Sequence, residues 1–361
     1  MKAPVLIVGG GPAGMALALA LHRNGVNSRI VDARPRGAAH ADLRILALSH
    51  GARLILDTLG VWNDIPHTPI ATIHVSQQGG LGRTRIRAEE ADVPALGYVL
   101  AAGDLARALD GAVDAAGIAW HAETKVGSGG TADESLVVHA EGRVEDGSDV
   151  RGADYGQHAV ICTAQAAAWH DGTAWERFTP AGPVALLPHR AAYAVVLTCP
   201  AADSARIDRL ADADFLALLQ ARVGSRVGLT GVGPRRVYPL GLKLRKTAVG
   251  VREVWIGNAA QTLHPVAGQG FNLALRDIAE LADTLKDAAD PGAARLLARY
   301  AARRRLDRYA AAGFTDALVR LFSNDLPPLR HLRGAGLLAL DLCAPARRFL
   351  ARRMMFGARG W

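Results

Sequence analysis

The chain has 361 residues, 50% hydrophobic and 21% charged, which suits a sizeable buried core and excludes a disordered chain. Its net charge of +8 is concentrated at one end: residues 291–361 carry +10 and the other 290 carry −2. No interleaved aromatics accompany those arginines, which argues against nucleic acid, and Cys162, Cys199 and Cys343 are too scattered for a disulfide framework or a zinc site.

Pro4 to Val8 is a short apolar, β-branched run and reads as a buried parallel strand. Glycines follow, then an Ala/Leu-rich helix from Met15 to Arg23, closed by Asn24 and by Gly25 in a left-handed position. Ser28 to Val31 is a second strand ending in Asp32, so the chain opens on a βαβ unit. The glycines and proline that break Val5 to Leu21 argue against a signal peptide or membrane span. A helix is expected from Ser49 to Leu59, a hairpin around Gly79-Gly80, and a helix from Asp104 to Ala116 with Asp104 as its N-cap. Residues 127–134 read as a loop and Leu136 to His139 as a strand. Residues 155–246 mix strand signals with one helix near Asp212–Arg222. Glu253 to Gly257 is a buried strand, 258–270 a long loop, and 271–286 a helix. The remainder is helical and arginine-rich, interrupted at Pro327-Pro328 and Pro345.

Two segments carry chemistry. In Gly9-x-Gly11-x-x-Gly14, with Pro12 and Ala13 between, Gly9 permits the tight turn. Gly11 lets a pyrophosphate approach the backbone, and Gly14 lets helix pack on sheet. The free N–H groups at the helix start attract phosphate, and Asp32, 18 residues beyond Gly14, suits a ribose diol. This pattern predicts dinucleotide binding without separating FAD from NAD. The second segment runs Gly257-Asn258-Ala259-Ala260-Gln261-Thr262-Leu263-His264-Pro265-Val266-Ala267-Gly268-Gln269-Gly270-Phe271-Asn272, continuing to Arg276-Asp277. His264 is the one candidate general base, against a purely structural part in the loop. The histidines show no metal-ligand spacing, so no metal is expected.

The second segment resembles the flavin motif of the FAD-dependent aromatic hydroxylases (class A flavin monooxygenases), and within them the ubiquinone-biosynthesis type, the polyprenylphenol hydroxylases. Asp42-Leu43-Arg44-Ile45-Leu46-Ala47-Leu48-Ser49-His50-Gly51 resembles the segment after the second strand in the same family, and residues 174–189, including Glu176-Arg177-Phe178-Thr179-Pro180 and Leu186-Leu187-Pro188, resemble its substrate-domain strands. The resemblance implies an α/β fold: a Rossmann-type FAD-binding domain, a second sheet-based substrate domain and C-terminal helices. The division expected is 1–70, 98–154 and 247–290 for the FAD domain, 71–97 and 155–246 for the substrate domain, and 291–361 for the helices.

It also implies FAD held by Gly9, Gly11, Pro12, Ala13, Gly14, Asp32, Arg44, Glu141, Gly142, Gly257, Asn258, Pro265, Gly268, Gln269, Gly270 and Asn272. Asn258 would reach the ribitol, Arg44 the flavin or pyrophosphate, and the backbone of 268–270 the ring. NAD(P)H would be the transient reductant. O2 would add to reduced flavin as a C4a-hydroperoxide, and a polyprenylated phenol would be hydroxylated. The basic, partly apolar C-terminus would dock on a membrane surface, placing the protein in a bacterial cytoplasm, peripheral to the inner membrane, with a multi-enzyme complex as a further partner. The chain departs from the family in carrying Glu141-Gly142 where relatives have Asp-Gly, Ala101-Ala102 where many have an arginine, and a short segment from 122 to 134. A soluble hydroxylase of small aromatics and a flavin-binding scaffold with weak or no catalysis remain the alternatives.

Overall fold

The computed structural model describes residues 3–80, 82–126, 134–322 and 327–358. The loop expected at 127–134 therefore lies almost wholly outside the described residues, as does most of the short 122–134 segment.

The opening βαβ forms the middle of a six-stranded sheet. Strand β1 (Val5–Val8) lies parallel to β2 (Ser28–Val31) on one side and to β9 (Leu136–His139) on the other. Beyond these lie β8 (Ala119–His121), β17 (Glu253–Trp255) and the short antiparallel β16 (Val249–Gly250). Helix α1 (Pro12–Arg23) starts with proline at its first position, where the missing N–H is no loss, and Gly25 closes it with φ +69°. Helices α1, α3 (Ala102–Ala115) and α6 (Gly270–Leu285) bury their apolar faces in the largest core cluster, with Leu17, Leu21, Leu105, Leu109, Ile278 and Leu281. Helix α3 begins two residues before Asp104: strand β7 (Gly97–Ala101) runs directly into it and Ala101 takes the N-cap position. Asp104 instead sits in the first turn and pairs with Arg107 and Arg190.

A three-stranded sheet, β3 (Ile45–Ser49), β7 and β4 (His67–Ile70), links this layer to the next. Ser49 ends β3 and caps α2 (His50–Thr58) by accepting the Ala52 N–H at 3.2 Å.

The large sheet has nine strands. Its path is β18 (Gln261–Thr262), β15 (Arg236–Arg245), β10 (Val150–Ala166), β13 (Ala192–Pro200), β12 (Val184–His189), β11 (Thr173–Phe178), β5 (Thr72–Gln77) and β6 (Arg83–Arg87), with β14 (Leu229–Val232) beside β10. Strand β10 belongs to this sheet along its whole length, from Val150 opposite Arg245 onward. The division expected at 154/155 thus falls inside one strand, and Gln261–Thr262 joins this sheet rather than the Rossmann layer. Two helices, α4 (Ala201–Asp208) and α5 (Asp212–Val223), stand where one was expected. They cover the back of the sheet, packing Ile207, Phe215 and Leu219 on Val160, Cys162, Val195 and Leu197.

Three helices complete the chain: α7 (Ala294–Phe322), α8 (Pro327–Leu342) and α9 (Ala344–Phe356). The arginines of α7 divide between surface and interior. Arg304 and Arg308 are buried, whereas Arg295, Arg299 and Arg305 are exposed.

Candidate flavin and substrate site

The β1–α1 turn has the shape a dinucleotide needs. A methyl group on Gly9 (φ +110°) would stand 2.6 Å from the Ala140 carbonyl, and one on Gly14 would overlap the Gly9 carbonyl oxygen. Gly11, by contrast, opens on free space, with Arg34 Nη2 its nearest neighbour at 4.0 Å. The turn therefore packs tightly on strand and helix while one side stays accessible to a phosphate at the helix start.

Asp32 is buried at the end of β2. Its Oδ2 accepts the Gly10 N–H at 2.6 Å and Arg34 Nη2 at 2.9 Å; its Oδ1 accepts the Arg34 backbone N–H at 2.8 Å and Arg34 Nε at 3.2 Å. Burial acts to raise its pKa, but the Arg34 side chain and these N–H groups prevail and hold it below the usual carboxylate range. The acceptor positions of the carboxylate are thereby filled by protein donors, and the Arg34 side chain remains half exposed. Arg34 escaped the sequence reading; its signal was a basic side chain two residues beyond the acid.

Arg44 is engaged with its own loop. Its Nη2 donates to Asp42 Oδ2 at 2.6 Å and its Nε to both Asp42 oxygens at 3.0 Å. It remains half exposed, and the Tyr238 phenol is near enough to act on its charge. Glu141 keeps the acid of the family's pair, but it turns to His139 Nδ1 at 3.2 Å, and that imidazole stacks on Trp255 at 5.0 Å. The 140–141 peptide supports Gly9, and Gly142 (φ +82°) faces open space.

The flavin-motif loop follows β17. Gly257 (φ +53°) packs against Ala274 and Ala13, so the two expected cofactor segments meet. Asn258 is half buried and has no hydrogen-bond partner among the described residues, which leaves its amide for a ligand. His264 is 1% exposed; its Nδ1 accepts the Val266 N–H at 3.1 Å and caps the turn Pro265–Ala267. Burial pushes it down to about 4, so it is neutral near pH 7 with its proton on Nε2. With its Nδ1 lone pair engaged in the cap, the ring serves the loop's shape and not proton abstraction.

Gly268 has φ +60°, and helix α6 begins at Gly270 with a methyl-sized space open beside it. Its first N–H groups have no intrahelical acceptor. The Gln269 and Asn272 side chains are both engaged. Gln269 Nε2 donates to the Met354 carbonyl of α9 at 3.2 Å. Asn272 Oδ1 accepts the Ser49 N–H at 2.8 Å, and its Nδ2 donates to the Ala47 carbonyl at 3.0 Å and the Gly268 carbonyl at 2.6 Å. These two side chains fasten the loop to β3 and α9.

Three further motif residues, Gln261, Arg276 and Asp277, serve a buried network. Asp277, fully buried, accepts Arg304 Nε and Gln261 Nε2, each at 2.7 Å. Gln261 Oε1 accepts Arg308 Nε at 2.7 Å, and Asp307 binds Arg276 at 2.7 Å and Arg304 at 2.8 Å. Ala358, just beyond α9, joins in, its N–H donating to Asp307 at 3.0 Å. The network ties the flavin-motif loop to α6, α7 and the segment after α9.

Opposite that loop lies the front of the large sheet. Alternation on β11 places Ala174, Glu176 and Phe178 there, while Trp175 and Arg177 face the back. Ala174 clusters with Ile45 of β3, and Phe178 with Val266 of the flavin-motif loop. Between them Ile161, Thr163, Ala185, Leu187 and Val196 stay half exposed, unlike their buried neighbours on the back face. Glu176 stands among them with no hydrogen bond or ion pair among the described residues, and burial pushes it up to about 8. Sequence reading placed Glu176 in a family-like stretch but did not single it out; the period-2 alternation of 173–178 was the available signal.

The family model described as FAD binding domain matches residues 2–155 and 148–314. Ubiquinone hydroxylase UbiL of Rhodospirillum rubrum is 36% identical over 384 residues, covering 98% of this chain and 89% of the relative. The chain belongs to the FAD-dependent hydroxylase family of ubiquinone biosynthesis. The 3-demethoxyubiquinol 3-hydroxylase of Escherichia coli is 30% identical over 95% of this chain and 96% of its own length. Among solved structures, p-nitrophenol 4-monooxygenase PnpA of Pseudomonas putida superposes with a TM-score of 0.78 at 16% identity. It covers 100% of this chain and 99% of that one, and it shares the fold. The α/β architecture, FAD as cofactor and an aromatic hydroxylase activity follow for the chain.

Proposed function

We propose that the chain hydroxylates the ring of a polyprenylated phenol on the route to ubiquinone, using NAD(P)H and O2. The observation that carries this reading is the half-exposed, apolar front of the large sheet, facing the flavin-motif loop and bearing the carboxyl of Glu176, which has no partner among the described residues. Bound FAD supplies electron transfer from the nicotinamide and activation of O2. Gly9, Gly11, Gly14 and Asp32 would hold its dinucleotide half. Asn258 and the backbone at 268–270 would hold the flavin half, and Arg44 would leave Asp42 to meet a phosphate.

The apolar side chains Ile161, Leu187 and Val196 exclude water from the ring and accept a prenyl chain. Near neutral pH Glu176 keeps its proton, so its carboxyl both donates to and accepts from a phenolic hydroxyl, fixing which ring edge faces the cofactor.

A bacterial inner-membrane surface is the site of work in this reading, with a multi-enzyme complex as a further partner. No helix among the described residues is long and apolar enough to cross a membrane. Exposed Leu338 and Leu342 on α8 and Phe349 on α9, with Arg348 and Arg352 nearby in sequence, support peripheral docking.

Stopped-flow mixing of the FAD-loaded protein with NADPH and with NADH, in the presence and absence of 2-farnesylphenol, tests the function. Flavin bleaching accelerated by the phenol, with a product heavier by one oxygen atom, is expected. Bleaching that ignores the phenol, with no oxygenated product, would sink the reading.

A further inference from the structure

The back of the large sheet divides in two. Over β10, β13 and β12 it lies under α4 and α5; over β11, β5 and β6 it borders an open groove, with His74 and Ser76 themselves buried at its floor. The groove, of about 380 Å³, is lined by Arg83, Arg85, Arg87 and Arg226 together with His74 and Trp175. Strand register explains the crowding: Arg83, Arg85 and Arg87 alternate onto one face, opposite Ser76, His74 and Thr72. Arg177 adds a fifth cation beside it, half buried, with its Nε buried and unpartnered.

Little opposes this charge. Among the described residues, the side chains of Arg83, Arg85, Arg177 and Arg226 meet no carboxylate. Arg87 comes within 3.7 Å of Glu90, which Arg347 holds more closely at 3.0 Å. Arg226 Nη1 lies 2.6 Å from His74 Nε2, an imidazole kept neutral by burial and by Arg226 itself, so that contact aims the guanidinium without balancing it. Guanidiniums gathered without counter-charge repel one another until an anion joins them, and their planar forks match phosphate oxygens.

The setting selects among phosphates. The groove lies on the opposite side of the sheet from the flavin-motif loop, so a nicotinamide bound there would face away from the flavin. It opens at the edge strand β6, against which α8 ends: Asp341 accepts the Arg85 backbone N–H at 3.0 Å. The next residue, Leu342, is 78% exposed, and Leu338 one turn earlier is exposed as well. Cations and bare apolar side chains thus share one edge, as at a bilayer surface where headgroup phosphates overlie acyl chains.

We propose that this arginine groove holds the phosphate of an anionic phospholipid headgroup and seats the β6–α8 edge on the membrane, an inference that rests on the peripheral-docking part of the proposed function. The test is sedimentation of the full-length, FAD-loaded protein with phosphatidylcholine vesicles, with and without phosphatidylglycerol. Wild type is expected to bind when phosphatidylglycerol is present and to release with salt. The R83Q/R85Q/R226Q variant, with bound FAD and melting temperature retained, is expected to bind about a hundredfold more weakly, at roughly fivefold per removed charge. The L338S/L342S variant is expected to weaken binding to the phosphatidylglycerol vesicles as well.

Equal binding by the arginine variant would overturn the groove and leave peripheral docking standing. So would wild-type binding indifferent to phosphatidylglycerol. Wild type that ignores every vesicle would overturn both. If inorganic phosphate then bound the soluble wild type and not the arginine variant, the groove would belong to a free phosphate and the lipid would be excluded.

Discussion

Arg304 and Arg308 lie inside α7, each less than a tenth exposed, and their hydrogen bonds run to Asp277, Asp307 and Gln261. Arg83, Arg85 and Arg226 lie in the open over β5 and β6 without a carboxylate among the described residues. The first set belongs to the strongly basic C-terminal stretch and the second to a part of the chain whose net charge is slightly negative. Net charge along the sequence therefore points to the wrong arginines. What separates a structural cation from one free for a ligand is whether the fold supplies its partner. The interior set locks the flavin-motif loop to the C-terminal helices, whereas among the described residues the groove set makes no ion pair and one side-chain contact, Arg226 to the neutral His74.

The sharpest way to break this comparison is to remove one charge from each set. Arg304→Met leaves Asp277 buried without its cation and is expected to destabilise the protein by about 3–5 kcal/mol in urea unfolding. Arg83→Gln should change stability by less than about 0.5 kcal/mol in the same assay.

His264 extends the comparison to a buried group kept neutral. Its folded pKa of about 4 lies below the ordinary 6.5, so its contribution is fully present above pH 6.5 and is lost as pH falls toward 4. The loss amounts to about 3 kcal/mol. His264→Asn, whose Oδ1 can keep the cap, should flatten the fall in melting temperature over that window; an unchanged slope would assign the acid sensitivity elsewhere.

Asp32→Asn tests a buried acid whose partners are polar and local. It should weaken FAD binding by about 2 kcal/mol, roughly thirtyfold, in a flavin-fluorescence titration.

Glu176 is expected to give a pH dependence of the opposite sign to that of His264. Its pKa is raised, so its contribution is present below pH 4.5 and lost as pH rises through about 8. Glu176→Gln should therefore raise the melting temperature at pH 8 by about 5 °C and leave it unchanged near pH 4. The same variant should raise KM for 2-farnesylphenol more than it lowers kcat, since the amide still offers a donor and an acceptor.

What the amino-acid sequence determined alone was local. The βαβ unit, the Gly9–Gly14 turn, the acid at 32 and the loop from Gly257 to Gly270 are each set by residues within a few positions of one another. Backbone conformation, close approach and helix starts respond to such neighbours. Even here the roles of Gln269 and Asn272 escaped, because their partners, Met354 and Ser49, lie 85 and 223 residues away. The tertiary structure decided the rest. It drew β10 into the large sheet, turned Glu176 toward the flavin-motif loop, took Arg304 and Arg308 inside and left the arginines of β6 bare. Burial and pairing are properties of what lies across a gap, and a one-dimensional pattern specifies a side chain's chemistry without specifying what stands opposite it.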